Sequence, residues 1–115
     1  MVGYKKLPAV FYATAGGFEP VRAWLKDLGG NDRRIVGQDI AVAEYGWPVG
    51  MPICRPLGRG LWEIRSSISG RRIARVIFSV TAQRMVLLHG FVKKAQRTPK
   101  HDLDLAIQRM KEIAR

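Results

Sequence analysis

The chain has 115 residues, of which 47% are hydrophobic, which is enough for one domain with a buried core and too short for two. Its single cysteine, Cys54, excludes an internal disulfide and favours a reducing compartment. No apolar run approaches the roughly 20 residues of a membrane span, and none at the N-terminus is typical of a signal peptide. We therefore expect one domain, residues 1–115, that is cytoplasmic and not bound to a membrane.

The net charge of +11 is concentrated in one segment of the chain. Residues 55–100 contain eleven basic residues and one acidic residue, Glu63, whereas the segments on either side are nearly neutral. Localised positive charge is typical of a protein that binds a polyanion, so this segment predicts a nucleic-acid partner. A basic surface that only keeps the protein soluble is the alternative.

The N-terminal part predicts a strand followed by a helix. The apolar run Leu7–Thr14 is typical of a strand, and Pro8 near its start indicates either the edge of a sheet or the beginning of a strand. Pro20 suits the first turn of a helix, and apolar residues recur at helical spacing as far as Leu28. Gly29–Gly30 then ends this helix.

A second helix and a long connection are predicted next. Asn31 or Asp32 caps a helix that runs to about Tyr45, and the two helices should form an antiparallel hairpin across the sheet. Gly46–Gly60 is rich in proline and glycine, so we expect an irregular loop there. Cys54 lies in this loop, and we favour a structural role for it over a nucleophilic one.

The C-terminal part predicts three antiparallel strands and a last helix. Thr98 and Pro99 are typical of a helix cap and first helical position, and apolar residues follow at helical spacing. The order is then β-α-α-β-β-β-α, an α+β fold in which a small antiparallel sheet (one N-terminal strand plus a three-strand meander) has its helices packed on one face. The runs of the meander are Leu61–Arg65, Ile73–Phe78 and Met85–Lys94.

Alternation along the meander predicts that two arginines meet. Trp62 and Ile64 share one side of their strand, whereas Glu63 and Arg65 share the other. If the apolar sides form one face, a turn of three or five residues sets Arg65 opposite or diagonal to Arg75. Like charges so placed repel unless an anion lies between them, and a phosphate is the obvious candidate.

The other candidate groups for chemistry are basic or imidazole side chains. Lys93 and Lys94 end the third strand of the meander, and a sharp turn then brings Lys100 and His101 back across the same face. His89 points either into the core or towards Arg75, depending on the preceding turn. Histidine suits proton transfer near neutral pH, and cations can stabilise the charged transition state when a 2′-hydroxyl attacks its own phosphate. The sequence has no glycine-rich phosphate loop and no zinc-type ligand spacing, so we expect neither a cofactor nor a metal.

Five segments of the chain carry a resemblance to a known family. They are Pro56–Gly58, Gly60–Arg65, Arg75–Phe78, Leu87–Phe91 with Lys93–Lys94, and Thr98–Pro99. Together they resemble the phage-derived HigB-like branch of the RelE/ParE toxin superfamily.

The resemblance implies a RelE-like fold and the toxin of a type II toxin–antitoxin system that cuts mRNA on the ribosome. It also implies a helix-turn-helix antitoxin as partner, with a possible heterotetramer. Many RelE-type nucleases carry a tyrosine on the last helix as a candidate base, and here Lys100 or His101 occupies that region.

We therefore predict a ribosome-dependent, metal-independent mRNA endoribonuclease that inhibits translation. The alternatives are a gyrase-poisoning toxin of the same fold and a non-catalytic basic RNA-binding module. The predicted catalytic residues are Arg65, Arg75, Lys93, Lys94 and His101. The predicted RNA-binding residues are Arg55, Arg59, Arg71, Arg72, Arg97, Lys100 and His89.

Overall fold

The computed structural model of this chain describes residues 4–93 and 97–113. Within those residues the fold is α+β, as predicted, with helices packed on a sheet of strand order β1-β5-β4-β3-β2. No helix in these two segments is long and apolar enough to cross a membrane. The elements are β1 (Ala9–Phe11), α1 (Pro20–Asp27), α2 (Gly30–Gly46), β2 (Cys54–Gly58), β3 (Leu61–Ile68), β4 (Arg72–Thr81), β5 (Arg84–Lys93) and α3 (Lys100–Ile113).

The first strand makes the sheet mixed, whereas the sequence predicted an antiparallel one. β1 lies at one edge, as Pro8 indicated, and pairs in parallel with β5, Ala9 opposite Met85. The neighbours β2, β3, β4 and β5 pair antiparallel. A strand that is separated from its partner by several other elements can pair in either direction, and the alternation of its residues does not encode which.

The expectation of an irregular loop over Gly46–Gly60 is wrong for part of that segment. Cys54–Gly58 forms β2, the edge strand beside β3, and Pro56 lies opposite Trp62. The register shifts between Pro56 and Gly58, which marks a bulge. Proline is tolerated at an edge or a bulge because no ladder hydrogen bond needs its missing N–H. Burial raises the pKa of the Cys54 thiol to about 11, which agrees with the structural role predicted for it.

Helices cover both faces of the sheet, so the expectation that they share one face is wrong. Each strand of the meander carries apolar residues on both sides, and each side must be covered. We call the two sides the α1/α2 face and the α3 face. The α1/α2 face packs Val21, Val36 and Ile40 with Ile64, Val76 and Phe78. The α3 face packs Ala106 and Ile107 with Leu61, Ile77, Leu88 and Phe91.

The start of α2 also differs from the prediction. The helix begins at Gly30, with Gly29 as its cap residue, so neither Asn31 nor Asp32 caps it. Asp32 instead accepts hydrogen bonds from the backbone N–H and the hydroxyl of Ser69, at 3.1 and 2.8 Å. These bonds hold the pKa of Asp32 below its usual range. The carboxylate therefore ties α2 to the turn between β3 and β4.

One glycine sets how closely α1 approaches the sheet. A Cβ atom built on Gly90 of β5 would lie 2.4 Å from Cε3 of Trp24 in α1. Side chains do not approach that closely, so the indole rests directly on the backbone of β5. The glycine beside His89 is thus explained by packing on the opposite face of the strand.

Candidate functional site

Charged side chains meet in two adjacent rows that cross the α3 face. The turn between β3 and β4 has three residues, Ser69–Arg71, and it sets Arg65 directly opposite Arg75, as predicted. The neighbouring row begins on β2 and brings a further arginine opposite a glutamate. We call these the charged rows. One contains Arg65, Arg75 and Phe91, and the other contains Arg55, Glu63, Ile77 and His89.

A β-bulge decides which face His89 takes. From the turn between β4 and β5 the two strands pair in constant register as far as Phe78 opposite Leu87. There the register shifts by one residue, and His89 lies opposite Ile77. The extra residue, Leu88, therefore turns His89 onto the α3 face, because a slip of one residue exchanges the faces of a strand.

The bulge is held in place by the C-terminal half of α3. Arg109 donates a hydrogen bond from Nη1 to the carbonyl oxygen of Leu88 at 2.7 Å. Its guanidinium lies 5.4 Å from the centre of the Tyr12 ring, and the Tyr12 hydroxyl donates to the carboxylate of Glu112. This hydrogen bond raises the pKa of Tyr12. The helix is thus fastened to both β5 and the segment after β1.

His89 is paired with a carboxylate from the first turn of α3. Its Nε2 lies 2.6 Å from Oδ1 of Asp102, and the two side chains are 14% and 8% exposed. The imidazole stacks on the ring of Phe91, with centroids 5.4 Å apart and planes inclined by 19°. Burial lowers the pKa of His89, although the hydrogen bond and charge of Asp102 oppose this effect. The result is an oriented imidazole that is mostly neutral at pH 7.

Glu63 is the carboxylate at the centre of the charged rows. Its Oε2 accepts a hydrogen bond from the Thr98 hydroxyl at 2.5 Å, and its Oε1 lies 3.8 Å from Nε of Arg65. Arg75 is fully buried, and burial lowers its pKa while the charge of Glu63 raises it. The side chain of Arg65 keeps 16% of its surface exposed. A ligand that arrives from solvent therefore meets Arg65 before Arg75.

The start of α3 lies against the same face, as the sequence predicted. Lys100 and His101 are exposed in its first turn, and Lys100 forms an ion pair of 2.7 Å with Asp104. Lys93 is exposed at the end of β5, opposite Ile73 and therefore on the α3 face. Lys94 lies outside the described residues. The catalytic roles assigned to Arg65, Arg75, Lys93, Lys94 and His101 stay predictions.

The remaining basic residues are more scattered. Arg55 belongs to the charged rows, whereas Arg59 and Arg71 are exposed in the turns on either side of β3. Arg97 is exposed before α3. Arg72 lies on the α1/α2 face, where its Nη2 forms an ion pair of 3.2 Å with Asp32. This location separates Arg72 from the charged rows, because alternation along β4 points it to the opposite side from Arg75.

Sequence reasoning missed Asp102 and Arg109. Both are helical residues whose partners, His89 and Leu88, lie on β5, and the bulge that places His89 on the α3 face leaves no mark in the hydrophobic pattern. The one available signal was the position of Asp102 in the first turn of a helix predicted to start beside a strand that carries a histidine. Among residues 4–93 and 97–113, no three His, Cys, Asp or Glu side chains cluster so as to hold a metal ion.

A family comparison covers most of this structure. Residues 23–111 match the family described as Phage derived protein Gp49-like (DUF891). The matched region begins in α1, includes both charged rows and extends through most of α3. No curated protein matches the chain.

Proposed function

We propose a function from one premise, that this chain belongs to the phage-derived Gp49-like family. The protein is then the toxin of a type II toxin–antitoxin pair and cleaves mRNA on the ribosome without a metal ion. Its resemblance to HigB-like toxins supports this activity and supplies the expected partner, a helix-turn-helix antitoxin that forms a complex with it. The family match itself supports the coarser part, a phage-derived protein of toxin type.

The observation that carries the proposal is the convergence of guanidinium groups on the α3 face. Arg65 lies opposite Arg75, and Arg55 stands in the next row opposite Glu63. Three guanidiniums thus lie in these rows with Glu63, and Asp102 also acts on Arg75, so positive charge exceeds negative charge in a partly buried setting. Such a setting strengthens attraction to an anion, and a phosphodiester is the anion that a basic nucleic-acid-binding surface meets.

In the proposed reaction the arginines act on the phosphate alone. Arg65, the more accessible of the facing pair, binds a non-bridging oxygen and stabilises the negative charge that develops as the 2′-oxygen attacks. Arg75 is fully buried behind it and acts through its charge rather than by touching RNA. Lys93 is exposed on the same face and extends the positively charged surface available to the bound mRNA.

One observation favours a second candidate, a basic module that binds RNA without cutting it. Arg75 is fully buried, and Glu63 lies beside Arg65, so part of the positive charge is neutralised within the protein. A binder needs only the remaining surface charge, whereas a nuclease needs Arg65 to reach the reacting phosphate. The rate of cleavage therefore discriminates between the two.

The test is cleavage of a translated message by the Arg65→Ala variant. Removal of one donor that stabilises the transition state typically lowers the rate by about 10²–10³-fold. We expect this loss in primer extension on mRNA bound to purified ribosomes, measured well below the melting temperature of the variant. Arg84→Ala is the matched control, because Arg84 is exposed at the turn between β4 and β5 and lies far along the strand from Arg65.

Three outcomes would contradict the proposal. Equal cleavage by wild type and Arg65→Ala would remove Arg65 from the reaction. Salt-dependent binding of RNA with no cleavage by the wild type would favour the binding module. Growth arrest with intact mRNA and broken DNA would favour a gyrase poison.

A further inference from the structure

We infer that His89, oriented by Asp102, accepts the proton of the attacking 2′-hydroxyl. This inference rests on the proposed function and names a proton acceptor for the same site. The sequence pattern assigned catalysis to His101 and only RNA binding to His89. The geometry of the α3 face instead favours His89, rather than His101, as the catalytic histidine.

The first argument is the orientation of the imidazole. A carboxylate oxygen can only accept a hydrogen bond, so Nε2 of His89 carries the hydrogen that Asp102 accepts at 2.6 Å. The lone pair is then on Nδ1, the ring atom that can take a proton. Stacking on Phe91 fixes the plane of the ring as well. A base whose orientation is set by a third group is the arrangement found where a hydroxyl nucleophile is activated.

The second argument is how much local structure serves to place His89 on this face. Without the bulge at Leu88, the strand would point the imidazole into the core between the sheet and α1. Arg109 donates its hydrogen bond to the carbonyl oxygen of Leu88, the residue that has no partner in the register between β4 and β5. Bulges occur preferentially next to active sites, where they redirect a side chain.

The third argument is the charge around the ring. From α3, Asp102 favours the protonated imidazole, whereas Arg109 and His101 oppose it. From the strands, Arg75 lies in the adjacent row and Glu63 in the same row, two strands away. Burial outweighs the attraction to Asp102, so the imidazole is neutral before the reaction and its conjugate acid is stabilised by that carboxylate as the proton arrives.

The position of the ring also suits the phosphate proposed to bind at Arg65. His89 and Arg65 stand in adjacent charged rows of one face, with the side chain of Arg75 between their strands. His89 keeps 14% of its side chain exposed, so one edge of the ring reaches solvent. A ribose whose phosphate contacts Arg65 can therefore present its 2′-hydroxyl to the same face.

The chemical step is a transesterification that balances without a co-reactant. The 2′-oxygen forms a bond to phosphorus, its proton passes to Nδ1 of His89, and the bond from phosphorus to the 5′-oxygen breaks. The departing 5′-oxygen takes a proton from water, and the imidazolium neutralises the hydroxide that this leaves. The products are a 2′,3′-cyclic phosphate and a 5′-hydroxyl end.

The experiment measures single-turnover cleavage of ribosome-bound mRNA by the full-length protein from pH 5 to pH 9. In the wild type we expect the rate to rise with pH through the lowered pKa of His89 and to level off near neutrality. We call this rise of the rate with pH the acidic limb. His89→Gln should lower the rate by about 10²–10⁴-fold and abolish the acidic limb. Asp102→Asn keeps the imidazole but removes the group that raises its pKa, so the limb should move to lower pH.

The matched control for the second variant is Asp104→Asn. Asp104 stands two residues further along α3 and is paired with exposed Lys100, so its loss should leave both the limb and the rate unchanged. If His89→Gln does not fold, as its melting curve would reveal, the shift of the limb in Asp102→Asn decides the matter. That shift is a readout that a purely structural role for the pair would not produce.

Three results would overturn the inference. One is a His89→Gln variant with the wild-type limb, whatever its absolute rate. Another is loss of the limb in His101→Gln rather than in His89→Gln. A wild-type protein that cleaves no RNA would overturn the proposed function and this inference together, whereas cleavage that survives without His89 would overturn only the inference.

Discussion

The two faces of the sheet are held against their helices by different interactions. On the α1/α2 face the strands present Ile64, Val76 and Phe78 to two helices in an apolar core, and the polar contacts of Asp32 lie beside it. On the α3 face apolar residues share the surface with the charged rows, and α3 is held by hydrogen bonds from Arg109 and to Asp102 as well as by packing. One face therefore stabilises the fold, whereas the other combines stability with the groups that can act on a ligand.

This difference shows why burial and function need not exclude each other. Arg75 and Glu63 are both fully buried, a costly state for charged groups that is tolerated only when they lie together. If this face served stability alone, apolar side chains of similar volume at these two positions would stabilise the fold equally well. Their presence beside partly exposed Arg65 and His89 indicates that the α3 face retains charge for another purpose.

The largest effect is expected when the charge balance of the α3 face is broken. Arg75→Met removes one of the positive charges near buried Glu63, and loss of one partner from a buried pair typically costs about 3–5 kcal/mol in the free energy of unfolding. Urea denaturation would measure it. Arg75→Met combined with Glu63→Leu removes both charges and should recover much of the loss. An Arg75→Met protein as stable as the wild type would contradict the contrast between the faces.

A smaller effect is expected when the packing of the α1/α2 face is disturbed. Gly90→Ala places a methyl group where the Trp24 ring now lies, and overpacking of this kind typically costs about 1–3 kcal/mol. Thermal unfolding would record the loss. Trp24→Leu in the same chain makes room for the methyl group, so the double variant should be more stable than the sum of the two changes predicts. Strict additivity would show that the two sites do not touch.

The smallest effect is expected at a position that belongs to neither face. Ala82 and Gln83, in the turn between β4 and β5, both have positive φ angles, of 51° and 60°. Glycine adopts this conformation without strain, so Gln83→Gly should change stability by less than about 1 kcal/mol, in the favourable direction. Chemical denaturation would measure it, and cleavage activity should not change. A destabilised Gln83→Gly variant would show that the side chain, rather than the backbone, determines the turn.

The sequence predicted those parts of the molecule that depend on local pattern. The facing of Arg65 and Arg75 followed from alternation and the length of one turn, and both are properties of neighbouring residues. β2 was missed because its proline and glycines argue against a strand, and only pairing with β3 makes Cys54–Gly58 extended. The strand therefore owes its conformation to a tertiary contact.

The site was predicted less completely than the fold for the same reason. The face of His89 depends on the bulge at Leu88, and no feature of the hydrophobic pattern marks one extra residue in a strand that is apolar on both sides. Arg75 is fully buried, and Thr98 donates a hydrogen bond to Glu63 from a segment distant in sequence, and neither fact follows from a local pattern. Residue type thus indicated the chemistry, and tertiary structure decided which residues are accessible.

The outer strands bear on how other proteins can approach. β2 carries Pro56 and a bulge, and β1 has only three residues with Pro8 just before them. Proline, an irregular register and short length each interrupt the continuous row of backbone N–H and C=O groups with which an additional strand would pair. Association of two copies of the chain through pairing of their strands is therefore disfavoured at both edges of the sheet. We expect any protein that binds this chain to contact its surface with helices or an irregular segment rather than by adding a strand to the sheet.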